Sequence, residues 1–371
     1  MTLLLRRFSA GAFLAAAWIG SAMAADNIAR YHVGETERLF HPPLARHWRG
    51  AKTEGLTAII WYPVAQNTSE GAHDIGPPGH PIFRGHAVAV DAQPSPAQAR
   101  YPLLLLSHGT GGSADSLDWL GAALAAAGYV VVGVNHPGNN ALEPLTREGF
   151  MLWWERATDL SEALDGILTD PMLGPHIDQS RIAAVGFSLG GYTVLELAGA
   201  KTNLQAFENF CHSPAADVAC HPPEMAQIRD DADPRAVPSA ETTASLARAG
   251  ASYRDTRVKA VLAIAPALGQ AFDAASFADV EIPVWLLAGT SDDTVPVETN
   301  IKRIAGLMPT AGITMLPGAS HYTFIDVCAP AMAERSPGLC KDNPGIDREA
   351  IHAQTIERAI AFLTKTVAAT D

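Results

Sequence analysis

The chain has 371 residues, with 26 Lys and Arg against 39 Asp and Glu, so its formal charge is −13; 48% of residues are hydrophobic and 18% charged. That balance belongs to a globular protein and not to a disordered one. The acidic excess, with no Lys/Arg cluster, argues against nucleic acid as a partner, because phosphate binding draws on basic surface. Glycine and proline are frequent but follow no period, which excludes collagen-like and low-complexity architectures.

The first 24 residues read as a cleaved export signal. Arg6 and Arg7 precede the apolar run Ala10–Ile19, and Ala22-Met23-Ala24 supplies a small-x-small cleavage site before Ala25. A retained membrane helix is the alternative, but the run is short for a bilayer. No cysteine follows the cleavage point, which removes the lipoprotein form. Cleavage would take away two arginines and no acid, leaving −15. No later run reaches membrane-spanning length, so the reading is a periplasmic or secreted protein without stable membrane association. The sequence is silent on oligomeric state.

The mature chain, 25–371, reads as one catalytic domain of the α/β class. Gly55–Pro63 reads as an early strand, antiparallel at the N-terminal side of the sheet, followed by a long surface excursion over 65–100. Short apolar runs then alternate with helical patterns. The runs are Leu103–Leu106, Tyr129–Val134, Ile182–Val185, Val258–Ile264, Val284–Leu287 and Ile313–Leu316; the helices are placed at 116–127, 151–169, 189–200, 297–307 and 349–367. This is the pattern of a mostly parallel central sheet buried on both faces and flanked by helices. Residues 203–256 interrupt it, with a Pro-Pro step and the acidic run Arg229–Asp233, and read as a cap or lid over the strand ends.

Four cysteines suit an oxidising compartment. Three connectivities are possible, and two local loops, Cys211–Cys220 and Cys328–Cys340, are the simplest. A metal site built on the repeated Cys-His steps is the competing reading, but adjacent residues rarely face one ion and CxxC spacing is absent.

The strongest chemical signal is Gly186-Phe187-Ser188-Leu189-Gly190, placed directly after a strand and before a helix. In that context the motif predicts a nucleophile elbow, with Ser188 lifted above the sheet and the helix start facing a developing oxyanion. A serine hydroxyl needs a base oriented by a carboxylate, and in this arrangement the chain order is Ser, acid, His. His321 follows the strand Ile313–Leu316 and is the expected base. The acid is Asp292 or Asp293, both after Val284–Leu287. In similar sequences a Gly-x-x-Asp pattern carries Pro four residues beyond the acid, and that resemblance implies Asp292; Asp293 is then expected to cap the following helix. The turn Ser107-His108-Gly109-Thr110-Gly111-Gly112 should supply a second oxyanion donor, Thr110, beside Leu189. His108 reads as a structural hydrogen-bonding residue, and Trp153, Trp154 and Arg156 as helix core with a salt bridge.

Together these motifs resemble the α/β-hydrolase superfamily, and within it the exported branch related to dienelactone hydrolases and plasma-type platelet-activating-factor acetylhydrolases. The resemblance runs over residues 50–365, through Leu-Leu-Ser-His-Gly, Asn135-His-Pro137, Trp154-Glu-Arg156 with Asp159 and Asp165, and Gly-Phe-Ser-Leu-Gly. It implies acyl hydrolysis of a small ester without metal or organic cofactor. Dienelactone hydrolases use cysteine where this chain has Ser188, so lactone hydrolysis does not carry over. A serine peptidase or amidase is the alternative. The polar residues of 203–256 and the net charge suggest short acyl groups of about two to six carbons and no interfacial activation.

Overall fold

The structure, a computed structural model, describes residues 31–43, 46–228 and 238–367. The proposed leader, residues 1–24, and the acidic run at Arg229–Asp233 lie outside them. The strands are β1 (His32–Phe40), β2 (Leu56–Val64), β3 (Asp74–Ile75), β4 (Phe83–Arg84), β5 (Ala89–Val90), β6 (Tyr101–Ser107), β7 (Val130–Val134), β8 (Ile177–Phe187), β9 (Val258–Ile264), β10 (Val284–Gly289) and β11 (Gly312–Leu316). The helices are α1 (Asp118–Ala126), α2 (Arg147–Met151), α3 (Glu155–Leu168), α4 (Leu189–Ala198), α5 (Leu204–Cys211), α6 (Ala240–Leu246), α7 (Ile301–Leu307), α8 (Pro330–Arg335), α9 (Pro337–Cys340) and α10 (Arg348–Thr366).

Nine strands form one sheet in the order β11-β10-β9-β8-β6-β7-β2-β1-β5. From β7 to β11 the strands run parallel, and β2 joins antiparallel to both β7 and β1. The parallel strands are continuous apolar runs because both faces are covered: every residue of β6 and β7 is buried. β1 was not legible as a strand. Its Glu35, Glu37 and Arg38 interrupt the apolar alternation, and its pairing with β2 is what makes it a strand.

β6 has β7 on one side and β8 on the other. Successive connections therefore leave β6 in opposite directions and open a crevice at its C-terminal end, the place where parallel sheets gather their functional groups. Among the described residues, no helix is long and apolar enough to cross a membrane.

Two disulfides are present, Cys211–Cys220 and Cys328–Cys340, both of the local pairing. The second closes the segment that follows His321. The excursion over 65–100 is more than surface: it carries β3, β4 and β5, and its Ile75, Ile82 and Phe83 reach the main cavity.

Candidate active site

Ser188 is the single residue between β8 and α4, with φ 57° and ψ −120°. A side-chain-bearing residue in that region carries strain of about 1–3 kcal/mol, which the surrounding structure must hold. Its N–H is bonded to the Ile264 carbonyl at 2.8 Å, and its own carbonyl accepts from Gly191 at 2.8 Å. The glycine spacing follows from packing. A Cβ on Gly186 would strike the Gly190 carbonyl, and one on Gly190 would strike the Ser107 carbonyl.

The His321 Nε2 lies 2.9 Å from the Ser188 Oγ, and its Nδ1 lies 2.8 Å from the Asp292 Oδ2. A carboxylate only accepts, so Nδ1 carries the proton and Nε2 presents its lone pair to the serine O–H. The other oxygen of Asp292 accepts the Val295 N–H at 2.7 Å, which fixes the carboxylate plane. Asp292 is buried and Asp293 exposed. Asp293 does not cap the next helix as expected. That helix, α7, starts only at Ile301, with Asn300 at its cap position.

Leu189 is the first residue of α4, where a helix N–H has no intrahelical acceptor. Among the described residues, neither its N–H nor that of Thr110 makes a hydrogen bond. Ser188, Leu189, Thr110 and His321 all line one cavity of about 980 Å³. The structure thus brings together all five residues singled out from the sequence.

The rest of the lining is mainly apolar, with Phe83, Phe150, Trp153, Phe207 and Met225 among it. The 203–256 insertion contributes Phe207, Val218, Cys220, Pro222, Pro223 and Met225. Among the described residues, its cavity face is mainly apolar, with Glu224 as the charged exception. Phe207 meets Trp153 edge to face at 5.3 Å, joining insertion and body. Two carboxylates reach the cavity, Asp115 and Glu224. Burial and the neighbouring Asp118 push Asp115 up to about 6. Glu224 accepts from the Tyr322 hydroxyl at 3.3 Å.

Behind the turn after β6 lies a buried polar network that the motifs only hinted at. The His136 Nε2 is 2.8 Å from the Ser107 Oγ, and its Nδ1 is 2.8 Å from the Asp159 Oδ2. Asp159 also receives Arg49 at 2.6 Å and Arg46 at 2.6 Å. Burial pushes the Asp159 carboxyl up, but Arg49 and Arg46 outweigh it and hold the group well below the ordinary carboxylate range. Burial, helped by Arg156, drives His136 down to about 3, so its ring is neutral. Among the described residues Arg156 makes no salt bridge, contrary to expectation; it donates to the His108 carbonyl, and Asp159, three residues on, is taken by the two arginines.

Among the described residues, His86, Asp118 and Asp326 bring possible metal-ligand atoms within 4.8 Å of one another. Those atoms are engaged already: His86 with Asp118 at 2.8 Å, and Asp326 with the Trp119 N–H.

The chain is similar to known proteins in sequence and in fold. A segment of the chain is 34% identical over 108 residues to cutinase est1 of Thermobifida alba, covering 29% of this chain and 33% of that protein. Another match, lipase 1 of a Moraxella species, is 33% identical over 94 residues, covering 25% of this chain and 26% of that lipase. The matches thus span a third or less of these relatives' length. A solved structure, a ferulic acid esterase from Streptomyces cinnamoneus, superposes with a TM-score of 0.57 over 91% of both chains at 20% identity, a likeness of fold. The model of the alpha/beta hydrolase family matches residues 103–334, from the strand before the oxyanion turn to beyond His321, and the chain belongs to that family.

Proposed function

We propose that this chain is an exported serine carboxylester hydrolase working through Ser188, His321 and Asp292. The observation that carries the reading is the unbroken hydrogen-bonded series from the Ser188 Oγ to Asp292, opening on the large cavity. The Ser188 Oγ attacks the ester carbonyl while the His321 Nε2 takes its proton. The Leu189 and Thr110 N–H groups receive the oxyanion, and Asp292 stabilises the imidazolium. The intermediate collapses, the alcohol leaves with the proton from His321, and an acyl-serine remains. Water, deprotonated by the same imidazole, releases the acid and restores the serine.

The names of the relatives, cutinase, lipase and ferulic acid esterase, support ester over amide substrates. The branch resemblance belongs to this proposal, as does the 203–256 insertion acting as a cap, which its contribution to the cavity wall supports. Export is supported by the leader pattern and the disulfides.

The preference for short acyl groups, suggested by the polar residues of 203–256 and the net charge, belongs to this proposal too. The mainly apolar lining described for the cavity of about 980 Å³ supports widening it, since small-molecule sites span about 300–1,000 Å³. We therefore extend the substrate to esters whose acyl or alcohol group is larger and apolar. Nitrophenyl esters of increasing acyl length test this, beside a peptide anilide. Rates should rise from the two-carbon ester to at least six carbons, and the anilide should be untouched. A steady fall from acetate onward overturns the extension, and faster anilide turnover overturns the esterase reading.

A further inference from the structure

The proposed oxyanion donor Thr110 has no side-chain prop of its own, yet its N–H must point at the reacting carbonyl. A trans peptide unit is planar, and its C=O and N–H point in opposite directions. Whatever holds the Gly109 carbonyl therefore aims the Thr110 N–H. That carbonyl accepts from the His108 Nδ1 at 2.7 Å, with a longer bond from the Gly112 N–H at 3.3 Å. The following peptide is pinned as well, because the Gly111 N–H is bonded to the Asn139 Oδ1 at 2.9 Å.

The His108 ring can do this in one tautomer only. Its Nε2 faces the backbone N–H of His136 at 3.2 Å and must accept there, so the proton sits on Nδ1 and is directed at Gly109. The ring is fully buried, and burial with the nearby Arg156 charge drives its pKa well below the usual value, which keeps it neutral. Its flanks are fixed too. Arg156 holds the His108 carbonyl, and His136 holds the preceding Ser107 hydroxyl.

We propose that His108 is a positioning residue which, by donating from Nδ1 to the Gly109 carbonyl, turns the Gly109–Thr110 peptide so that the Thr110 N–H faces the oxyanion. The proposal rests on the ester-hydrolase reading and gives a role beyond packing to a side chain that touches no substrate. It makes the oxyanion site depend on a tautomer chosen by a backbone N–H of the neighbouring strand-end loop.

The test compares His108→Ala, His108→Gln and His108→Asn in the full mature protein, with a nitrophenyl ester and a boronic acid as transition-state analogue. Loss of an oxyanion donor costs about 10²–10³ in kcat, so misaiming one should cost about 10- to 100-fold. His108→Ala and His108→Gln should show that loss in kcat with little change in KM, and boronate affinity should fall by a similar factor. His108→Asn places an amide N–H near the position of Nδ1 and should recover most of both. The pH dependence of kcat/KM should keep its acid limb, since His321 is untouched. Equal losses in all three variants, tracking a lowered Tm, would mean a merely structural histidine and overturn the proposal. Unchanged kcat and boronate affinity in His108→Ala would overturn it as well. Absence of ester turnover by the unaltered protein would instead overturn the parent reading, and this one with it.

Discussion

Two Ser–His–Asp series stand side by side in this molecule, Ser188–His321–Asp292 and Ser107–His136–Asp159. Their hydrogen bonds are nearly the same length, 2.9 and 2.8 Å in the first, 2.8 and 2.8 Å in the second. What separates them is everything around the three side chains. Ser188 sits in a strained turn facing the cavity, whereas Ser107 ends a regular strand and is fully buried. Asp159 is neutralised by Arg49 and Arg46, while Asp292 has a backbone N–H and His321 as its partners. An imidazole against a buried, arginine-paired carboxylate in a closed core holds a strand end in place. Both Ser107 and His136 are fully buried, so a substrate carbonyl has no route to them.

The largest expected effect would break this comparison outright. Ser188→Ala and His321→Ala should each lower kcat by about 10⁴ or more without unfolding, because members of a triad act as a unit. A fluorophosphonate should label Ser188 and leave Ser107 unmodified, as read by peptide mass spectrometry. Label on Ser107 would mean that the wrong series has been assigned to catalysis.

The two acids should fail in different currencies. Asp292→Asn should cost about 10⁴ in kcat with the fold intact, through the wrong imidazole tautomer. Asp293→Asn should change little, since that side chain is exposed. Asp159→Asn leaves the buried Arg49 and the half-buried Arg46 short of a partner and should cost about 3–5 kcal/mol of stability in denaturant titration. If Asp292 and Asp293 exchange these outcomes, the assignment of the acid is wrong.

Next in size are the disulfides, each closing a short loop and each contributing about 2–3 kcal/mol in the chain-entropy model. Reduction should lower Tm, and it should lower activity mainly through Cys328–Cys340. That bridge tethers the segment after His321, whereas the Ser107 series lies far from either cystine in the chain. Cys328→Ser with Cys340→Ser should therefore reproduce the activity loss, and Cys211→Ser with Cys220→Ser should mainly affect Tm.

The smallest effect is a pH dependence from a third buried acid. Glu196, on α4, accepts from Tyr192 and Thr202, and burial pushes it up to about 8. Unlike Asp159, it pairs with no arginine among the described residues. Its folded pKa exceeds the ordinary glutamate value of 4.5, so between about 4.5 and 8 the unfolded chain has released a proton that the folded one retains. Stability therefore falls as pH rises through that window and levels off above it. Glu196→Gln should flatten this part of the Tm–pH curve. An unchanged slope would show that another group sets it.

Much of the site was legible because its chemistry is local in sequence. Gly186, Ser188 and Gly190 act within one turn, and the ends of β10 and β11 present Asp292 and His321 from short loops. The residues alone left Asp292 and Asp293 open, and only the resemblance to similar sequences, through Pro296, favoured Asp292. The role expected for Asp293 did not hold, because a helix start depends on where the chain turns back, here at Asn300. The salt bridge expected of Arg156 is missing among the described residues for a similar reason. Asp159 lies three residues on along the same helix, but Arg46 and Arg49, from the loop before β2, occupy it.

By itself the sequence determined the α/β alternation and the elbow, since each follows from contacts a few residues apart or from the covalent geometry of glycine, whereas the order of serine, acid and base was read from the known chain order of this fold. Tertiary structure alone decided that Ser107, His136 and Asp159 form a second series, and that the insertion turns an apolar face to the cavity. It also decided that the Gly109–Thr110 peptide is held by a buried histidine. These are long-range juxtapositions of ordinary side chains. Burial and partner choice set their charge, tautomer and accessibility, and neither is written in the local pattern.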